Sequence, residues 1–458
     1  MTVAPGRPRP ARRGLTDFSL PVLRSDIDGL PGLDGGADWL DEDRQAGFDA
    51  FEALPAESNM LYTTYIDLRT VALEDAVLTR SPRTAPVAID LPEGIDGLLV
   101  IEEGDLTGVA LSTAASAAGV ELTSITDLAR RDPDRVRALL DDGSILPADD
   151  RFAQLTRALW SQGVVLDIPA GVRLERPIIL RWQAGAPDRA LISRTLVTLG
   201  DGAAATVLEE LVASGPPELD GGQSFLAGTL EVRLGREASL ELASLQELPS
   251  TTVAFQHRNA VIGEGATLHW ALAQLGSRLV RSRVDNRLEG DRSKVEQVEI
   301  VFGGEDQLFD LTSYTHHIGR DTTGNLLSKG ALLDRARSFM KGMIVIDRSA
   351  VGTDSFLGEF GMNLSKATRS VAIPSLEIDQ PDCRRAAHAS SVGPIDESQL
   401  FYLESRGIPP DEARKFIVLG FLEPVVARVP VADAQDRLRD LLEAKWDAGI
   451  GAGAVAAA

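Results

Sequence analysis

Four short stretches decide the fold: LGDGA at residues 199–203, LGREASL at 234–240, IGEGATL at 262–268 and, more loosely, LEGDRS at 288–293. Each sets a glycine behind an apolar residue, passes through charged residues, and reaches a small residue that leads into an apolar, Val-, Leu- and Thr-rich run. Gly200, Gly235, Gly263 and Gly290 fall 35, 28 and 27 residues apart. A corner of constant chemistry recurring at about 20 to 50 residues marks a solenoid, in which each repeat stacks on the one before. Glycine supplies the left-handed or crowded backbone at such a corner, and the small residue fits where coils meet. No helical pattern separates the short strands, which argues against a doubly wound α/β sheet. A β-sandwich or double sheet also has short strands, but its connections carry no repeating corner. The expectation is an all-β core, a parallel β-helix over residues 163–392.

The texture extends outward from the corners. GVVLDIPAGVRLERPIIL at 163–180 reads as two β-rich segments around Pro169-Ala170-Gly171. Strand-like runs continue through 342–346 and on to Ile378. Before the core, residues 1–36 open basic and Pro-rich and read as a disordered tail. Residues 37–162 read as a mixed helical region. Leu40, Phe48, Phe51 and Leu54 share a helical face that Pro55 ends, and Asp132-Pro133 breaks a helix over 124–140. A helix over 151–162 carries Phe152, Leu155, Leu159 and Trp160 and stops at Gly163, while 61–73 reads as a strand or extended arm. After the core, residues 393–449 turn helical. One helix spans 397–406, and another spans 411–419 with Asp411 as its N-cap. A third over 434–448 carries a stripe of Leu438, Leu441, Leu442 and Trp446. Residues 450–458 read as a frayed tail.

Composition narrows the partners. Asp and Glu number 68 against 46 Lys and Arg, a formal charge of −22 that repels a phosphate backbone, so nucleic acid is not an expected ligand. No apolar run approaches the length of a membrane span or signal peptide, so no membrane is expected and the cytoplasm is the expected compartment. A single cysteine excludes an intrachain disulfide and any all-Cys metal site within one chain. No G-x-x-x-x-G-K-[ST] run is present, so this chain is expected to bind no nucleotide.

The junction at 373–430 holds that cysteine, Cys383, and one of five histidines, His388. It reads IPSLEI, then AAHASSVGPIDESQLFYLESRGI, then EARKFIVLGFLEP. Together with Lys329-Gly330, RARSFMKGMIVI at 335–346 and RFAQLTRALWSQGVVLDIPAGVRLERPI at 151–178, this ordered set resembles the SufB/SufD scaffold family of the SUF iron–sulfur cluster assembly machinery, closer to SufD, over roughly 150–445. The resemblance implies a right-handed parallel β-helix flanked by helical ends, and a scaffold rather than an enzyme. It also implies two partners: a SufB-type subunit, or a second copy, met through the β-helix, and a SufC-type ABC ATPase on the C-terminal helices. Phe401, Tyr402, Arg406, Gly407 and Phe421 are the expected docking residues, around a hinge at Gly420-Phe421.

The chain departs from its relatives where the chemistry would be. Aligned on the histidine, the SufD-type cysteine position is Ala386, and Leu403 stands where many SufB proteins have a cysteine. His388 is the ligand-type residue that carries over. It is the candidate cluster and metal ligand, shared with a partner chain for a transient iron–sulfur cluster at an interface. Cys383, three residues before Ala386 and next to Arg384-Arg385, is a second candidate as ligand or sulfur acceptor. His316 and His317 are adjacent on a strand and point to opposite faces, so they cannot share one ion. The acidic groups Asp41 to Asp43, Glu102-Glu103 and Asp141-Asp142 read as solvated surface. Two rival readings remain: a β-helix enzyme acting on polysaccharide, for which no matched set of carboxylates and basic residues is found, and a purely structural solenoid.

Overall fold

The corners do what their chemistry demands. In a computed structural model of the chain, Gly202, Glu237, Gly265, Arg292, Asp321 and Gly352 each have positive φ, between 55° and 80°. Each donates its N–H to a carbonyl of the following corner: Gly202 to Arg236, Glu237 to Glu264, Gly265 to Asp291, Arg292 to Arg320, Asp321 to Val351 and Gly352 to Asp382, at 2.7–2.8 Å. The glycine column beside them is sterically required. A Cβ on Gly263 would sit 2.6 Å from the Leu234 carbonyl oxygen, and one on Gly290 would sit 2.0 Å from the Glu264 nitrogen. The small residue that follows (Ala203, Ala238, Ala266, then Ser293, Thr322 and Thr353) is buried where coils meet. Glycine is thus replaceable at the left-handed position, where Glu, Arg and Asp also occur, but not at the point of contact.

The structure describes residues 14–32, 38–57, 66–80, 82–83, 85, 87–141, 146–215 and 221–453. The N-terminal part contributes α1 (Asp38–Ala53), β1 (Val77–Leu78), β2 (Gly97–Glu102), β3 (Asp105–Leu111), α2 (Thr113–Ala117) and β4 (Glu121–Ser124). Then come α3 (Ile125–Arg131), α4 (Pro133–Asp141) and α5 (Arg151–Leu159). Eight coils follow, each giving one strand to each of two sheets. They are β5 (Gln162–Ile168) with β6 (Ile178–Ala184), β7 (Arg189–Leu199) with β8 (Ala204–Ala213), and β9 (Ser224–Leu234) with β10 (Ser239–Gln246). Next are β11 (Thr252–Ile262) with β12 (Thr267–Gln274), and β13 (Leu279–Leu288) with β14 (Lys294–Gly303). The last three are β15 (Leu308–His317) with β16 (Thr323–Leu332), β17 (Arg337–Ile346) with β18 (Asp354–Asn363), and β19 (Arg369–Ile378) with β20 (Arg385–Gly393). Odd strands from β5 form one parallel stack and even strands from β6 the other. This is a parallel β-helix. The chain ends in α6 (Glu397–Ser405), α7 (Pro410–Val426) and α8 (Ala432–Gly453).

Alternation along each strand sorts side chains between the inside of the solenoid and its two covered outer faces. Inside lie Val197, Leu199, Val232, Leu240, Ile262, Leu268 and Trp270. The outer face of the odd sheet is covered by the N-terminal region through Phe18, Phe152, Phe225 and Phe255; the Phe152 and Phe255 rings are 4.6 Å apart, edge to face. Asp150 locks this layer. It caps α5 at the Phe152 and Ala153 N–H groups and accepts from Arg281 and Arg283, with His257 Nε2 at 3.1 Å. Those cations hold its carboxyl well below the usual range despite complete burial. The outer face of the even sheet is covered by α7 and α8, where Val418, Leu422, Leu438, Leu442 and Trp446 meet Ala243, Leu245, Ala271 and Ile300.

Several expectations are corrected. Residues 14–32 are not a disordered tail, because Leu20, Ile27 and Leu30 are buried in the N-terminal core; 1–13 and 33–37 lie outside the described residues. Strands β2 to β4 precede residue 163 and join the two sheets. α5 ends at Leu159, and Gly163 lies inside β5, where a Cβ would strike Ile125. In place of an arm over 61–73, Leu68–Thr70 is one turn of 3-10 helix, and 61–65 lie outside the described residues. α7 runs unbroken through Gly420 and Phe421, so there is no hinge, and Pro409 rather than Asp411 caps it. α8 continues to Gly453, into the stretch read as a frayed tail. Two acidic groups are structural: Asp43 pairs with Arg157, and Glu103 accepts from the Ala186 N–H and the Ser214 hydroxyl.

Candidate functional site

Both sheets stop at the same end. Strands β19 and β20 are the last in their stacks, and each pairs on one side only, with β17 and β18. His388 lies in β20, exposed, in register with Leu357 of β18. Because Leu357 is buried inside the solenoid, that register places His388 on the inward face of the last coil. Its Nδ1 is 3.1 Å from the Pro374 carbonyl oxygen of β19, so the imidazole bridges the two sheets where the solenoid opens.

A file of polar side chains runs along the inside toward this opening. Register links Glu209, Ser244, Leu272, Glu299, Ser328, Glu359 and Ser390 through successive even strands. At the far end, Glu209 is satisfied by Arg258 and by the Ser244 hydroxyl, at 2.7 and 2.6 Å. Midway, Glu299 accepts from the Ser282 hydroxyl at 3.0 Å, and burial still raises its carboxyl. Glu359, one coil beneath Ser390, is 2 % exposed, and its Oε2 has no hydrogen-bond partner among the described residues. Burial pushes this carboxyl up to about 8, opposed in part by the nearby Ile373 N–H. At neutral pH it therefore carries a proton.

The other predicted residues fall elsewhere. Cys383 is a half-buried free thiol in the connection between β19 and β20 and makes no hydrogen bond to His388. Its flanking arginines are engaged, Arg384 by Asp321 and Arg385 by Asp354. His316 and His317 do face opposite ways. His316 pairs with Asp347 outside, while His317 is buried between Thr322 and Ser355, and burial lowers it to about 4. Among the described residues, no three His, Cys, Asp or Glu side chains gather as a metal ion would need, and His388 belongs to no such group. Glu359 and Ser390 were missed in the sequence. Their signal was parity: both occupy inward positions, two residues from Leu357 and His388 respectively, but nothing local marks them.

The tail divides into a packed part and a bare part. The stripe of α8 is consumed by the chain's own sheet: Leu438, Leu442 and Trp446 are buried there rather than offered to a partner. Phe421 of α7 is partly buried, and its carbonyl and ring both meet the Lys329 ammonium, at 2.7 Å and 4.6 Å. On α6, by contrast, Phe401 is 72 % and Tyr402 56 % exposed, and Phe416 on α7 is 63 % exposed. The Arg406 guanidinium lies 5.2 Å from the Tyr402 ring centre, and Gly407, at φ +87°, ends the helix. These three are the exposed aromatic side chains among the described residues.

Comparison with known proteins bears on the same segments. The profile of a family described as SUF system FeS cluster assembly, SufBD core domain, matches residues 182–421, more than half of the chain, from β6 into α7. An iron–sulfur cluster assembly protein SufD of Bacillus subtilis is 29 % identical over 367 residues, 78 % of this chain and 83 % of the relative. An iron–sulfur cluster assembly SufBD family protein of Staphylococcus saprophyticus is 25 % identical over 326 residues, 71 % and 69 % of the two chains. Its counterpart in Staphylococcus epidermidis is 26 % identical over 309 residues, 67 % and 65 %.

Proposed function

The chain belongs to the SufB/SufD family of iron–sulfur cluster assembly proteins and is SufD-like, and from that premise we propose that it is a scaffold subunit with two docking surfaces. The observation that carries this reading is the open end of the solenoid. There, two strands have unpaired edges, and Ile378 and Val392 are 44 % and 39 % exposed. Unpaired edges and bare apolar side chains are a liability unless another chain covers them. A SufB-type subunit, or a second copy, meets this end. His388, on its inward face, then supplies one nitrogen ligand to a cluster in transit, and the partner supplies the rest. Neutral imidazole suits iron(II), and a single ligand per chain suits a cargo that must leave.

The second surface is the pair α6 and α7. Exposed aromatic side chains beside an arginine are the composition of a binding hot spot, and here a SufC-type ATPase docks. ATP hydrolysis is the partner's task. The test is co-expression with a SufB-type subunit and a SufC-type ATPase, followed by size-exclusion chromatography and cluster-maturation assays. A ternary complex is expected. His388→Ala should leave it assembled and slow maturation at least tenfold. A chain that never binds either partner would sink the reading.

A further inference from the structure

In the third coil, one residue leaves a gap in the inner face of the odd sheet. Register stacks Ser193 of β7, Gly228 of β9 and Gln256 of β11 in one column. Leu226 and Leu230, two positions either side of Gly228, are buried in the inner core, so this column faces the inside of the solenoid. Gly228 has no positive φ, so its backbone does not demand glycine. Within 4 Å, a Cβ there would meet the Ser193 hydroxyl alone, at 3.3 Å. The missing side chain opens a cavity, lined also by Glu209 and Arg258, in which about 20 Å3 is open to the centre of a water molecule. One water needs roughly 10–15 Å3 of such space. We propose that this cavity is a binding site for a single water molecule, which accepts a hydrogen bond from Gln256 Nε2 and donates one to Glu209 Oε1.

The polar groups around the cavity leave places for such a ligand. Arg258 can only donate, so the atom of the Gln256 amide 2.7 Å from its Nη1 is the oxygen, Oε1. Gln274 Nε2 donates to the same oxygen at 3.2 Å. The amide nitrogen of Gln256 therefore points away from both donors, and it is buried without a partner, as is Arg258 Nε. On the acceptor side, the hydrogen bonds to the Glu209 carboxylate, from Arg258 and Ser244, both fall on Oε2, which leaves Oε1 open. A buried N–H left unpaired carries the cost of its desolvation, and a water held by polar groups in a cavity removes that cost. Charge decides the class of ligand. Glu209 already neutralises Arg258, at 2.7 Å, so a small anion would meet a carboxylate with no free cation to offset it. A neutral molecule that both accepts and donates meets no such penalty. The water adds a second bridge between the two sheets, beside the Arg258–Glu209 pair.

The test is a high-resolution crystal structure of the full-length chain, with a second crystal soaked in bromide. A density peak at hydrogen-bond distance from Gln256 Nε2 and Glu209 Oε1, with no anomalous bromide signal, is expected. An empty cavity overturns the inference, and so does a bromide ion bound in it. Water relaxation dispersion in solution, which counts long-lived internal waters, gives a second readout. Gly228→Ala should lose one such water and unfold at a lower temperature than the native chain, because its methyl group takes the space and leaves Gln256 Nε2 unpaired. Gly228→Ser puts a hydroxyl where the water was, so it should lose the same water yet unfold at a higher temperature than Gly228→Ala. Equal water counts in the native chain and both variants would overturn the inference as well.

Discussion

The two ends of the solenoid are built on opposite principles. At the start, β4 runs antiparallel to β5 and β3 antiparallel to β2, so both stacks are closed by reversed strands, and helices cover the odd sheet. At the far end nothing reverses. β19 and β20 leave bare edges, and their inward face carries His388 and Ser390 to the opening. The buried charges differ as well. Asp150, packed against β11 and β13 midway along the solenoid, has two arginines and a histidine; among the described residues no cation pairs with Glu359 near the open end. A buried carboxylate held between cations stays ionised, whereas a buried carboxyl with no cation takes up a proton.

That contrast can be broken experimentally. The largest effect should come from Asp150→Ala, which strips the α5 cap and leaves Arg281 and Arg283 buried without their shared partner. It should cost about 3–5 kcal/mol in chemical denaturation. A loss below 1 kcal/mol would show that the layer over the odd sheet does not depend on this cluster.

Glu359 should act through pH. The unfolded chain releases this proton near 4.5, whereas the folded chain keeps it to about 8. Folding therefore binds a proton between those values. Its contribution is complete below the unfolded value and is lost as pH rises through the folded one. Between pH 5 and 8 the native chain should lose about 3 kcal/mol relative to Glu359→Gln. Parallel pH profiles for the two would contradict the unpaired assignment. The smallest effect is expected on the bare helix. Phe401→Ala with Tyr402→Ala should change stability by less than about 0.5 kcal/mol while weakening ATPase binding at least tenfold. A large stability loss would mean that these rings are packed rather than offered.

Much of the fold was legible because solenoid corners are local. The glycines at 200, 235, 263 and 290 announce themselves by spacing, and the buried small residues follow each of them. His388 was singled out through resemblance to the SufB/SufD family, and only the register of β20 placed it on the inward face of the last coil. The inner polar file was not. Glu209, Glu299 and Glu359 are 90 and 60 residues apart in sequence, and only strand register aligns them. Nor could amphipathicity say which apolar stripe would be spent. Both helices carry large apolar residues, yet Trp446 of α8 is 4 % exposed and Phe401 of α6 72 %.

By itself, then, the sequence determined that this chain coils, where it turns and which family it joins. Corner geometry depends on single residues and their immediate neighbours, and that information is contained within each repeat. The tertiary structure alone decided that α8 would cover the even sheet, that the last coil would stay bare, and that a buried carboxyl would lie one coil beneath Ser390. Those outcomes depend on which coil stacks against which surface, and a residue's neighbours across coils are roughly thirty positions away in the chain.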